Sequence, residues 1–377
     1  MKRRSFLQGS MILGVGAFVS PILAKEHKGT NKEDKMTQEL ANESTQALNN
    51  AKKNPFGLVY EGAISKNEAN KVQIHPVSYT NKGLKLAANL YTPANFKANK
   101  KYPALVIAHP NGGVKEQVAG LYAQKMAERG YITLAFDSAY QGASEGLPRN
   151  VDIPANRTED IRAALDFLEK QSGVDREKLG IIGICGGGGY TLKAAQSDKR
   201  FKAVATLSMF DTGLVRRNGF LDSELNTIQE RLEKASKARQ EEALTGKVSY
   251  IGAAPKKLSE AELAKISTDL YREGMVYYGD THAHPNSTFA YTTSSLLDLM
   301  SFNVSDNIEL LNQPLLMIVG DKADTAYMSE RIFKLATKAQ DKKLIKLKNA
   351  THIQTYYRSD LVEAALESFD TFFKEKL

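Results

Sequence analysis

A single cysteine, Cys185, stands in a chain of 377 residues. That excludes an internal disulfide and any cysteine-rich metal site. Blocks of basic residues interleaved with aromatics are also missing. The lysines are scattered, and of the formal net charge of +8, three charges (Lys2, Arg3 and Arg4) lie in the first 24 residues, leaving +5 for the rest. Nucleic acid is therefore not indicated as a partner. There is no Walker loop, and the glycine run Gly186–Gly189 lacks the spacing of the dinucleotide fingerprint, so no cofactor is expected. His282 and His284 alternate beside Asp280, but no third ligand is evident, and no metal is expected. The remainder is ordinary globular composition, 42% hydrophobic and 25% charged.

Residues 1–24 are set apart. Lys2-Arg3-Arg4-Ser5-Phe6-Leu7-Gln8 resembles the twin-arginine export signal, with Lys where Ser or Thr usually precedes the arginines. The apolar run from Met11 to Val19 is short for a bilayer span. The expectation is a signal peptide cleaved after Ala24 and a periplasmic or secreted protein. The twin-arginine translocase would be its partner during export, with no stable membrane insertion afterwards. Export in the folded state lets a lone thiol be buried before it meets an oxidising compartment. Residues 25–56 are rich in Lys, Asn, Glu, Gln and Thr and read as a flexible, solvated segment with a frayed helix around Thr37–Leu48. Residues 57–377 read as one domain.

Within that domain, Val72–Val77 and Leu84–Tyr91 flank Asn81-Lys82-Gly83 as an antiparallel hairpin. Strands are then expected at Ala104–Ala108, Ile132–Phe136, Leu179–Ile184, Ala203–Ser208, Leu315–Val319 and Lys343–Leu347. Helices are expected at Lys115–Arg129, closed by Gly130, and at Arg157–Gln171, Ser329–Ala339 and Ser359–Lys376. Such alternation gives an α/β fold with a mostly parallel sheet flanked by helices. It breaks once, over about 212–304, where Glu224–Ala243 and Leu258–Tyr271 read as polar helices. An insertion between strands of such a sheet is expected to form a helical lid over the site.

The most informative stretch is Leu179-Gly-Ile-Ile-Gly-Ile-Cys185-Gly-Gly-Gly-Gly-Tyr190. It reads as buried strand, sharp turn and helix, with a nucleophile at the apex in Gly183-x-Cys185-x-Gly187. The glycines leave no Cβ atoms where strand and helix close on one another. The helix N-terminus faces the sulfur, favouring thiolate over thiol, and the Gly186 amide is placed to donate to an oxyanion.

Four stretches in order, His109-Pro-Asn-Gly-Gly-Val-Lys-Glu-Gln117, Phe136-Asp-Ser-Ala-Tyr-Gln-Gly-Ala-Ser144, Gly183-Ile-Cys185-Gly-Gly187 and Ala350-Thr-His352-Ile353, resemble the α/β-hydrolase superfamily. The likeness is closest to its dienelactone-hydrolase-like branch, which uses a cysteine nucleophile, and covers roughly 72–377. The resemblance implies the order nucleophile, acid, histidine. Cys185 is then the nucleophile and His352, in the last strand-to-helix loop, the base. The acid is Asp324 or, as an alternative, Asp321, because the family's usual position after the glycine is occupied here by Ala323. The second oxyanion amide is that of Asn111 or Gly112; Pro110 has none. His109 is expected to order its loop, and Asp137 to form a turn or anchor a loop. The implied activity is hydrolysis of a carboxylic ester, lactone or thioester through an acyl-enzyme. The alternatives are a peptidase or amidase on the same fold and a catalytically silent binding protein. A redox sensor ranks low, since no second cysteine is present to resolve a sulfenic acid.

Overall fold

Strands β1 (Gln73–Asn81) and β2 (Leu84–Thr92) form the expected antiparallel hairpin, turning through Lys82 at φ 47° and Gly83 at φ 82°. Positive φ at both turn residues matches the right-handed twist of the strands. The strands β3 (Tyr102–Ala108), β4 (Ile132–Phe136), β5 (Val174–Ile184) and β6 (Ala203–Leu207) follow. In the insertion, two-residue strands β7 (Tyr250–Ile251) and β8 (Tyr291–Thr292) pair only with each other. Then come β9 (Leu315–Gly320) and β10 (Lys343–Leu347). The eight-stranded sheet runs β1-β2-β4-β3-β5-β6-β9-β10, antiparallel at β1/β2 and β2/β4 and parallel elsewhere. The computed structural model describes residues 45–377. The export-type stretch 1–24 and residues 25–44 lie outside the described residues.

The central strands are apolar along their whole length because helices cover both faces. The helices are α1 (Thr45–Lys52), α2 (Val118–Glu128), α3 (Pro154–Leu168), α4 (Gly186–Ser197), α5 (Thr212–Asn218), α6 (Ile228–Thr245), α7 (Glu260–Leu263), α8 (Asp269–Val276), α9 (Leu296–Leu299), α10 (Ala326–Leu335) and α11 (Ser359–Lys376). Several boundaries differ from expectation, among them the helix expected at Ser329–Ala339, which is Ala326–Leu335, and three others have a local cause. Helix α2 starts at Val118 rather than Lys115, since the Lys115 amide is held by Asp137 Oδ1 at 2.8 Å. Helix α3 starts at Pro154, whose missing N–H costs nothing in a first turn. The helix expected over Leu258–Tyr271 is broken into α7 and α8, the first opened by a capping box of Ser259 and Glu262. No described helix is long and apolar enough to cross a membrane.

The expectation of a solvated segment up to residue 56 is corrected from Thr45 onward. Helix α1 docks on the insertion, where Asn50 Nδ2 donates to the carbonyl of Asp280 at 2.9 Å. One buried amide side chain secures it, a contact that composition does not reveal.

Candidate active site

Strand β5 ends and helix α4 begins at Cys185, which sits at φ 54° and ψ −123°. A non-glycine residue in that region is strained and is held there by its surroundings. Its N–H donates to Leu207 O at 3.0 Å, and its carbonyl accepts from Gly188 and Phe210, both at 2.9 Å. The next residue has no space for a side chain, because a Cβ on Gly186 would collide with the carboxamide of Asn111. That carboxamide is itself anchored, with Asn111 Nδ2 donating to Thr212 Oγ1 at 2.8 Å.

The sulfur is buried, faced by the backbone N–H groups of Gly186 and Asn111 and lying beside the hydroxyl of Tyr356. Of the two loop candidates for the second amide, Asn111 is therefore the one facing the sulfur. Gly112 turns its carbonyl to the insertion, accepting from Thr288 N at 3.1 Å and Ser287 Oγ at 2.6 Å. Burial pushes the Cys185 thiol above its ordinary pKa, and the three donors offset this only in part. Desolvation outweighs the pull of the helix terminus, and the resting group is a thiol rather than the expected thiolate.

His352 is fully buried one turn before Tyr356. Its Nε2 lies 2.9 Å from Tyr356 Oη, so imidazole and sulfur are joined through the phenol. Its Nδ1 lies 2.6 Å from Thr325 Oγ1. Burial alone holds the imidazole down to about 3, with no carboxylate to raise it. Both expected acids are corrected. Asp324 Oδ2 accepts from the Leu270 amide at 3.0 Å, while its Oδ1 is buried without a partner. Asp321 Oδ1 accepts from Ala350 N at 3.4 Å. The first turn of α8 offers open amides and a positive dipole end, which draw the Asp324 carboxylate away from the histidine. Thr325, one residue on, fills the orienting position. Sequence reasoning missed Thr325 and Tyr356. The spacing His352-x-x-x-Tyr356 would have placed the phenol on the histidine's face of a helical turn.

His109 orders its loop as expected. The Ser138 amide donates to Nε2 at 3.2 Å, so Nδ1–H donates to Pro110 O at 2.7 Å. Burial, then the Arg157 charge, holds its pKa down to about 3. Asp137 anchors two loops. It accepts from the amides of Lys115 and Ala143, at 2.8 and 2.9 Å, and pairs with Lys115 Nζ at 3.0 Å. Lys115 also pairs with Glu116. His282 and His284 are held down to about 4 by burial, and no described group of three or more His, Cys, Asp or Glu residues is arranged to hold a metal.

Residues 82–354 match the family model described as X-Pro dipeptidyl-peptidase (S15 family). The Escherichia coli protein YcjY is 36% identical over 308 residues, covering 80% of this chain and 98% of the relative. The Pseudomonas aeruginosa protein PA2218 is 39% identical over 312 residues, 81% of this chain and 82% of the relative. The thiohydrolase aneE of Aspergillus aculeatus is 29% identical over 256 residues, 66% of this chain and 77% of the relative. The crystal structure of PA2218 superposes with a TM-score of 0.74, covering 83% of this chain and 96% of that one. The α/β-hydrolase GrgF from Penicillium superposes with a TM-score of 0.64 at 22% identity, covering 81% and 99%, a likeness of fold.

Proposed function

The chain belongs to the X-Pro dipeptidyl-peptidase (S15) family, with the fold of the α/β-hydrolase superfamily, and from that premise we propose that it cleaves a carboxylic ester, lactone or thioester with Cys185 as nucleophile. The observation carrying the reading is the hydrogen-bonded line Tyr356–His352–Thr325, with the buried Cys185 sulfur at its phenol end beside two convergent amides. The Sγ–H proton passes to the Tyr356 oxygen as the phenol gives its own to His352 Nε2, and the imidazolium keeps Nδ1–H on Thr325. The sulfur attacks the carbonyl carbon, and the oxyanion rests on the Gly186 and Asn111 amides. The carbonyl re-forms and the C–O or C–S bond breaks, the leaving group taking the proton back along the same line. Water then enters, gives a proton to His352 and releases the acid, restoring the thiol.

The likeness to a thiohydrolase favours thioesters within this set. A dienelactone-hydrolase-like site and export by the twin-arginine route to the periplasm or outside the cell are parts of the same proposal. Hydrolysis of p-nitrophenyl butyrate and a matched thioester is measured for the protein and for Cys185→Ala, His352→Ala and Tyr356→Phe. We expect Cys185→Ala to be inactive and the other two strongly impaired. Equal turnover in all four rejects the assignment.

The family match supports a second reading, peptide-bond cleavage by the same residues. A matched p-nitroanilide cleaved at a rate comparable with the ester selects it.

A further inference from the structure

Next to the oxyanion loop lies a small cavity of about 30 Å³, and one side of it is a cation with no acid bound to it. Its lining includes Asn111, Gly112, Asp152, Arg216, Phe289 and Tyr291. Arg216 projects from α5, the helix that leaves the sheet after β6. Its guanidinium lies over the Tyr291 ring, 4.7 Å from the centroid. Its Nε is buried without a hydrogen-bond partner, and among the described residues no carboxylate comes within ion-pairing distance of it. The nearby acid, Asp152, is turned to another cation, with Oδ1 3.8 Å from Arg157 Nη1. That approach is too long for a hydrogen bond, and Asp152 Oδ1 keeps no hydrogen-bond partner, while Arg216 has no ion pair of its own among the described residues.

A desolvated guanidinium is costly unless something planar and negative completes it. The aromatic face beneath it satisfies only one side. The fork of N–H groups at its end fits a carboxylate. The cavity adjoins the reacting centre, since the Asn111 that lines it also turns its amide to Cys185 Sγ. Tyr271 is near both ends, within electrostatic reach of Arg216 and of Cys185. The room is small and Asp152 repels a dianion, which favours a carboxylate over a phosphate.

We infer that Arg216 is a substrate-binding residue, and that the acyl part of the substrate carries a free carboxylate which Arg216 receives while its far end presents the scissile carbonyl to Cys185. This rests on the hydrolase reading and narrows its substrate class to half-esters, half-thioesters or lactones of carboxylate-bearing acids.

The test compares p-nitrophenyl half-esters of the dicarboxylic acids from succinate to adipate with neutral esters of equal chain length, corrected for the enzyme-free rate. The read-out is the ratio of kcat/KM, anionic over neutral, in the wild-type protein and in Arg216→Gln. A charge-assisted hydrogen bond corresponds to a ratio change of about 10- to 100-fold. The expected result is a wild-type preference for one anionic member and a fall in the ratio of that order in Arg216→Gln. Arg216→Lys should recover part of it, having the charge without the fork. A ratio unchanged by Arg216→Gln across the series overturns the inference, because general loosening of α5 lowers both rates together. If no ester is turned over at all, the hydrolase reading fails instead. The subsite is then judged by calorimetric titration of Cys185→Ala and Cys185→Ala/Arg216→Gln with monomethyl esters of the same acids. Binding that disappears in the double variant supports it, and no binding to either protein overturns it.

Discussion

Cys185 and His352 rest as a neutral pair, because the same burial raises one group and lowers the other. Alkylation of Cys185 by iodoacetamide should therefore keep rising past pH 9, with no inflection near 6.5 from His352. A rate already level by pH 7 would mean a preformed thiolate–imidazolium pair. Thr325 and Asp324 are adjacent but do different things. Thr325→Val leaves a buried imidazole N–H unsatisfied, a loss of about 1–3 kcal/mol, and should lower kcat on the order of 10- to 100-fold. Asp324→Asn should leave kcat near wild type and instead loosen α8, seen as faster limited proteolysis between residues 259 and 284. The reverse pattern would restore Asp324 as the acid. The strand–turn–helix at Cys185 and the place of His352 beyond the last strand were legible from residue type and spacing. The orienting group was not, since Asp324 and Thr325 are one residue apart and only the approach of α8 decides which of them turns to the ring.

At the level of elements, alternation of apolar strands and amphipathic helices placed every strand of the large sheet, because strands buried on both faces must be apolar throughout. The loops between them rest on a buried ion cluster. Lys115 lies between Asp137 and Glu116, all three nearly inaccessible. Asp137 stays below the usual carboxylate range although burial opposes it, as the Lys115 charge and the amides of Ala143 and Lys115 pull the other way; burial, then Asp137, pushes Glu116 up to about 7. Lys115→Met removes the cation and leaves Asp137 uncompensated. It should destabilise the protein by about 3–5 kcal/mol in chemical denaturation. A loss below 1 kcal/mol would mean that solvent reaches the cluster. In the 212–304 insertion, elements were less legible. Its helices are polar, and their boundaries are set by caps such as Ser259 and by contacts with the loop after β9 and with α1 rather than by a periodic apolar face.

Over the whole molecule, stability depends on histidines folded in their neutral form. For His109, burial holds the folded pKa down to about 3, below the ordinary imidazole value of 6.5. The unfolded chain binds a proton below pH 6.5 that the folded chain refuses until about 3, so the stability this residue contributes declines as pH falls through that window. The advantage of the wild type over His109→Asn should shrink by about 1.4 kcal/mol per pH unit below pH 6.5. Parallel urea titrations at pH 7.5 and 5 measure it, and a constant difference would place the ring in contact with water. Glu116 and Asp160, with pKa values up to about 7 and 6, act in the opposite sense in both proteins and cancel in the difference. By itself, the sequence determined the sheet, the elbow and the identity of the sulfur and imidazole, because period, glycine spacing and residue scarcity are local properties. Tertiary structure alone decided that a phenol stands between them, that a threonine holds the ring and that Arg216 is left without an acid. Each of these depends on which side chains from distant segments reach one buried point, and burial sets their charge there.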